Sequence, residues 1–209
     1  MLGANMGTTP SGAPKAIKMI PAAEALQKLI DGNRRFVAGK THCEPWEVQA
    51  HRAALVEGQK PFAVILGCSD SRAPTEVIFD QGLGALFVVR IAGNIAAPSQ
   101  IGSIEYAVEF LGARLVVVMG HTSCGAVAAA IAQMKEGLEI ESPNLRSVVD
   151  EIRPVVDANS PANAVRANVR HSVKVLKTES ATLLARMDGG QLKIVGAEYC
   201  LESGAVTFL

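Results

Sequence analysis

The chain has 209 residues, 49% of them hydrophobic and only 4% aromatic, and its 20 basic and 20 acidic side chains cancel. That length carries one substantial core without forcing a second domain. The charge balance argues against a nucleic-acid or anionic-membrane partner, no apolar run is long enough for a membrane span, and four scattered cysteines (Cys43, Cys68, Cys124, Cys200) do not make a disulfide-built fold.

Residues 1–19 are rich in Gly, Ala, Thr, Ser and Pro. They read as a flexible arm, a cloning remnant or the stub of a processed leader. Cytoplasm is the expected location, with a periplasmic mature form as the alternative. Pro21 opens a helical pattern with Leu26, Leu29, Ile30 and Val37 on one stripe and Gly39 as its stop. A second amphipathic piece runs from about Glu44 to Val56, closed by Gly58. Two helices ahead of the first strand could pack on the sheet or reach across to another subunit.

Residues 61–67 form an apolar run of strand length that stops at Cys68-Ser69-Asp70-Ser71-Arg72. A strand that apolar is buried on both faces, as in the middle of a parallel sheet. Pro74 starts a brief helical turn to Phe79, Gly82 and Gly84 mark a turn, and a second strand runs from Ala85 to Ile91. Ser99 is expected to cap a helix bearing Ile101, Ile104, Val108 and Leu111, ended by Gly112. A third strand, Leu115 to Gly120, ends in His121-Thr122-Ser123-Cys124, with Cys124 opening a helix towards Met134. Ser142-Pro143 and Ser160-Pro161 each look like an N-cap followed by Pro at the first helical position, and Pro154 ends or kinks the first of these helices. The second carries Val165, Val169, Val173 and Leu176, with Arg166, Arg170, Lys174 and Lys177 as a solvated basic stripe beside them. Leu192 to Glu198 and Ala205 to Leu209 are the last strands, joined as a hairpin through Glu202-Ser203-Gly204. Strands alternating with helices predict an α/β single domain: a mostly parallel central sheet flanked by helices, with an N-terminal helical arm and a C-terminal antiparallel hairpin.

Ligands in α/β proteins bind beyond the carboxyl ends of the strands. Two such ends offer Cys68 and Asp70, on alternate positions facing one way, and His121 and Cys124, at the i,i+3 relation of a turn entering a helix. Two thiolates and an imidazole select zinc over magnesium or calcium. A carboxylate as fourth ligand is readily exchanged for water, which points to a catalytic rather than a structural site. Arg72 sits where it can take Asp70 in a bidentate pair, and that would leave the fourth position to water.

The two motifs, with Phe87-Val88-Val89-Arg90-Ile91-Ala92-Gly93-Asn94 and Ile104-Glu105-Tyr106-Ala107-Val108 between them, resemble the β-class carbonic anhydrases. The resemblance implies reversible hydration of carbon dioxide to bicarbonate and a proton. Cys68, His121 and Cys124 would hold Zn²⁺, and a zinc-bound hydroxide would attack the carbon. Asp70, the exchangeable fourth ligand, would orient that hydroxide and Arg72 would fix Asp70. Gln59, Phe87 and Tyr106 fall on positions of the family's plant-like branch that bind substrate, and the Gly125 N–H is a further candidate donor. In the family such pockets form across a dimer interface, so a homodimer or a multiple such as a homotetramer is expected, with residues 20–58 as the dimerisation arm of a domain spanning 20–209. A bacterial branch has a tryptophan three residues ahead of the first cysteine, where it helps form an inhibitory bicarbonate site beside an arginine. Ile65 stands there in this chain, so an Asp70–Arg72 pair and no bicarbonate beside Arg90 are expected. His42, His51 and His171 are candidate proton carriers. Hydrolysis of carbonyl sulfide or carbon disulfide on the same fold, or a non-catalytic zinc-binding scaffold, are the alternatives.

Overall fold

The structure, a computed structural model, describes residues 20–42 and 52–209. The proposed arm at 1–19, and most of the amphipathic piece from Glu44, lie outside the described residues, although 52–54 are helical. Five strands form one sheet in the order β2-β1-β3-β4-β5. β1 (Ala63–Gly67), β2 (Leu86–Arg90), β3 (Leu115–His121) and β4 (Lys193–Tyr199) run parallel, and β5 (Val206–Phe208) returns antiparallel along β4. This is the α/β architecture that the alternating apolar runs predict.

β1 and β3 are buried along their whole length. Their side chains divide by alternation. Val64, Leu66, Val116 and Val118 face one core with Ile101, Ile104, Val169 and Leu176. Ala63, Ile65, Leu115, Val117 and Met119 face the other with Leu29, Ile78 and Phe79. The flanking helices are α1 (Ala22–Val37), the short α2 (Thr75–Ile78), α3 (Pro98–Glu109), α4 (Gly125–Glu136), α5 (Pro143–Ile152), α6 (Pro161–Thr178) and α7 (Ala181–Asp188). Helix α6 comes close because Gly120 and Gly196 lie beneath it: a Cβ at either would meet Val169 at 2.7 and 2.8 Å.

One expectation is corrected. Ser99 caps nothing: α3 begins at Pro98 with Ala97 as N-cap and no side-chain cap, because Pro98 already takes the first helical position. Ser142 and Ser160 are N-caps followed by Pro, as expected; the Ser142 hydroxyl accepts from the Leu145 N–H, whereas that of Ser160 accepts from Asn163 and makes no capping bond. β2 is as apolar as predicted but is an edge strand and mostly half-buried. Helix α1 buries Ala25, Leu29, Gly32 and Asn33 in its own chain, and Asn33 bonds to Ile78, Gly204 and Val206. Within this chain helix α1 therefore packs on its own sheet.

Candidate metal centre

After β1 the chain moves outward to β2, and β3 then falls on the other side of β1. The crevice between the β1 and β3 tips is thus the switch point at which open α/β sheets bind ligands. Cys68 directly succeeds β1, and His121 is the last residue of β3. Cys124 is the N-cap of α4 without a side-chain capping bond, and the nearby N–H groups of Val127 and Ala126 favour its ionised form.

All three side chains are buried, and their ligand atoms lie within 4.8 Å of one another. Cys68 Sγ and Cys124 Sγ are 4.0 Å apart. Two bonds of about 2.3 Å at a tetrahedral ion would put the sulfurs roughly 3.8 Å apart. His121 Nδ1 lies 2.9 Å from the Thr122 carbonyl, so Nδ1 carries the proton and donates, leaving the Nε2 lone pair free. That Nε2 is buried with no hydrogen-bond partner. Burial of such an atom carries a free-energy cost that coordination removes. The donor set therefore fits a metal ion.

Asp70 stands beside this triad, Oδ2 being 3.7 Å from His121 Nε2. Arg72 takes its carboxylate with both prongs, Nε to Oδ1 at 2.9 Å and an Nη to Oδ2 at 2.7 Å, and the Arg72 backbone N–H adds a third bond at 2.9 Å. The guanidinium also donates to the Ser123 carbonyl at 3.2 Å, which ties the first tip to the second. Together these bonds hold the Asp70 carboxyl well below the usual carboxylate range. Cys68 is lowered to about 4, first by its hydrogen bond with Cys124, against burial, and with help from His121 and the N–H groups of Asp70 and Gly93. Cys124 moves up, because the neighbouring thiolate and burial both favour its neutral form. The two thiols thus keep one proton between them near neutral pH. Burial pushes His121 down, but the Cys68 sulfur and the Thr122 carbonyl outweigh it and the net shift is upward.

The other predicted residues separate from this cluster. Gly125 is the first residue of α4, next to Cys124, at a position where helix N–H groups have no intrahelical partner. Gln59 is exposed and precedes β1, so the length of that strand, roughly 13 Å at about 3.3 Å per residue, stands between it and the triad. Phe87 lies on edge strand β2 beside Val64, and its ring is 6.2 Å from that of Tyr106 on α3. Tyr106 stacks in turn on Phe110 at 5.4 Å, and these two are 47% and 76% exposed. Sequence reasoning misses Phe110, although its i,i+4 relation to Tyr106 is a signal that could find it. Arg90 clamps the ligand loop, Nε donating to the Cys68 carbonyl at 2.9 Å and an Nη to the Asp70 carbonyl at 2.6 Å. Of the candidate proton carriers, His42 is exposed and donates its backbone N–H to Asp80, His171 lines a separate groove with Glu105, Glu151 and Glu179, and His51 lies outside the described residues.

A family model described as carbonic anhydrase matches residues 63–206, which takes in both ligand tips and nearly the whole sheet. Carbonic anhydrase 2 of Mycobacterium tuberculosis is 45% identical over 186 residues, covering 86% of this chain and 89% of that one. The carbonic anhydrase of Mycolicibacterium smegmatis is 40% identical over 188 residues, covering 87% and 90%. Among solved structures, the β-carbonic anhydrase CafA of Aspergillus fumigatus superposes with a TM-score of 0.65 at 30% identity, covering 90% of this chain and 89% of that one. With the thiol–imidazole–thiol triad at the switch point and these matches over most of its length, the chain belongs to the carbonic anhydrase family, in its β class.

Proposed function

We propose that this protein catalyses the reversible hydration of carbon dioxide to bicarbonate and a proton, with zinc held by Cys68, His121 and Cys124. The observation that carries the reading is the buried, unpartnered His121 Nε2 facing two sulfurs 4.0 Å apart, beside a carboxylate already engaged by an arginine. When bound, zinc acidifies water and polarises the substrate, which is what lets hydration run at neutral pH. Two thiolates and one imidazole are the donor set that favours zinc over magnesium or calcium.

The chain's own residues do the rest. Arg72 occupies both oxygens of Asp70, which keeps the carboxylate ionised and directed at the site as a hydrogen-bond acceptor. Asp70 accepts from the O–H of the attacking water and aims its lone pair at the carbon. The Gly125 N–H is placed to donate to an oxygen on which charge develops. Carbon dioxide has no charge or dipole to grip, so an apolar pocket suits it, and Phe87 and Tyr106 supply such a surface. Because Gln59 stands at the opposite end of β1 from the triad of its own chain, it acts on substrate in the site of a second copy. The names carried by the chain's relatives favour hydration over carbonyl sulfide or carbon disulfide hydrolysis and over a non-catalytic scaffold.

Stopped-flow hydration of carbon dioxide with parallel metal analysis tests the reading. The purified protein should carry about one zinc per chain and be active. Asp70→Asn should keep the metal and lose rate by about 100-fold. Full activity in Asp70→Asn would refute the role given to Asp70, and activity without metal would refute the reading as a whole.

A further inference from the structure

We propose that Asn168, on α6, is a positioning residue for the metal centre, holding Gly93 so that the Gly93 N–H stays on the sulfur of Cys68. The inference rests on the reading of Cys68 as a metal ligand. Cys68 Sγ accepts two backbone N–H bonds, each 3.4 Å: one from Asp70 in its own loop, the other from Gly93 in the turn after β2. Gly93 has φ +68, and a Cβ there would lie 2.5 Å from Ile152 Cδ1 and 3.1 Å from Ala126 Cβ. Only glycine brings its amide this close to the sulfur.

What fixes the other side of Gly93 is Asn168. Its Nδ2 donates to the Gly93 carbonyl at 2.7 Å, a buried bond between residues far apart in sequence. The orientation of the amide is set by chemistry, since only the nitrogen can donate to a carbonyl. Asn168 is 1% exposed, between Val165 and Val169, whose side chains pack over Gly120. Its Oδ1 has no hydrogen-bond partner. An apolar side chain at this position would avoid that unpaired acceptor, so the useful part of Asn168 is its donor.

An N–H bond to a thiolate withdraws charge from the sulfur, so a cation held by that sulfur receives less of it and stays a stronger Lewis acid. Outer partners of this kind typically change metal affinity or activity by about 10–100-fold. Asn168 touches neither substrate nor metal; it acts through Gly93.

Two measurements test the proposal on the full chain. In wild type loaded with cadmium-113, the Gly93 amide proton should show a through-hydrogen-bond coupling to the metal, and its absence would overturn the proposal. Asn168→Leu, nearly the same shape without the donor or the unpaired oxygen, should fold, with a melting temperature lowered by a few degrees because the Gly93 carbonyl loses its buried partner. With cobalt(II) bound, its sulfur-to-metal charge-transfer band should move to lower energy, and the rate at which the ion passes to a chelator should change about tenfold. Asn168→Ala serves if the leucine variant does not fold. Ser172→Ala, equally buried on the same helix and also without a partner in wild type, is the control and should match wild type in both readouts. An unchanged spectrum and release rate in the Asn168 variants, or equal changes in Ser172→Ala, would overturn the proposal. A wild-type chain that takes up neither cadmium nor cobalt would overturn the metal-site reading beneath it.

Discussion

At the scale of single residues, the protonation of the triad before a metal arrives makes a countable prediction. Cys68, lowered to about 4, is a thiolate at pH 7, whereas Cys124 keeps its proton and His121 is shifted upward. Binding a metal requires all three in their basic forms. Loading with zinc at pH 7 should therefore release close to one proton from the thiol pair, with at most one more from His121. Two independent thiols with pKa ≈ 8.5 would release about two on their own. Titration calorimetry in buffers of different ionisation enthalpy gives the number, and clearly more than two protons would contradict the shared-proton arrangement. Acidification protonates His121 and then, towards pH 4, Cys68, so metal binding weakens as pH falls. The four residues Cys68, Asp70, His121 and Cys124 were legible in the sequence because each pair is local and ends an apolar run. The partners that orient them were not. Asn168 reaches Gly93, and Arg72 reaches Ser123, across long stretches of chain that no local pattern links.

At the scale of elements, the apolar runs located β1 and β3 because both are buried on two faces, and helical spacing located α1 and α6 because one stripe of each packs on the sheet. Strand order had no such signal, since β1 and β3 pair across residues 68–114. The expected Ser99 cap failed because Pro98, at the first helical position, moves the N-cap back to Ala97. Close packing makes a prediction against propensity. Replacing a glycine within a helix by alanine ordinarily gains about 1 kcal/mol. At Gly32 in α1, however, the added Cβ would lie 1.8 Å from the Phe79 carbonyl oxygen, backbone that cannot swing aside. Overpacking of this kind costs about 1–3 kcal/mol or more, so it outweighs the propensity gain. Gly32→Ala should lower the melting temperature by several degrees in a thermal scan, and a rise would show that α1 does not seat against Phe79 as described.

At the scale of the whole molecule, the predicted site residues fall in separate places that one chain does not bring together. Cys68, Asp70, Arg72, His121, Cys124 and Gly125 gather at the strand tips. Gln59, ahead of β1, stands apart, and Phe87, Tyr106 and Phe110 make an aromatic face on and beside the half-buried edge strand β2. An exposed aromatic face next to an open sheet edge is a surface that association would cover. We expect a dimer in which this face of one copy completes the site of the other. Phe110→Glu places a charge on that face without touching a metal ligand. It should shift the mass by light scattering towards the monomer and reduce hydration while zinc content stays unchanged. A fully active monomer would contradict the shared site. Beneath all of this lies the claim that two neighbouring strand tips seat one zinc ion through Cys68, His121 and Cys124, with Asp70 kept off the metal by Arg72. Zinc-edge X-ray absorption on the purified protein near neutral pH tests it most directly. The account predicts two sulfurs at about 2.3 Å with one imidazole nitrogen and one further oxygen at about 2.0–2.1 Å, and the same sulfur and imidazole shell in Asp70→Asn. A metal-free protein, a shell without sulfur, or an oxygen ligand that is lost in Asp70→Asn would contradict it.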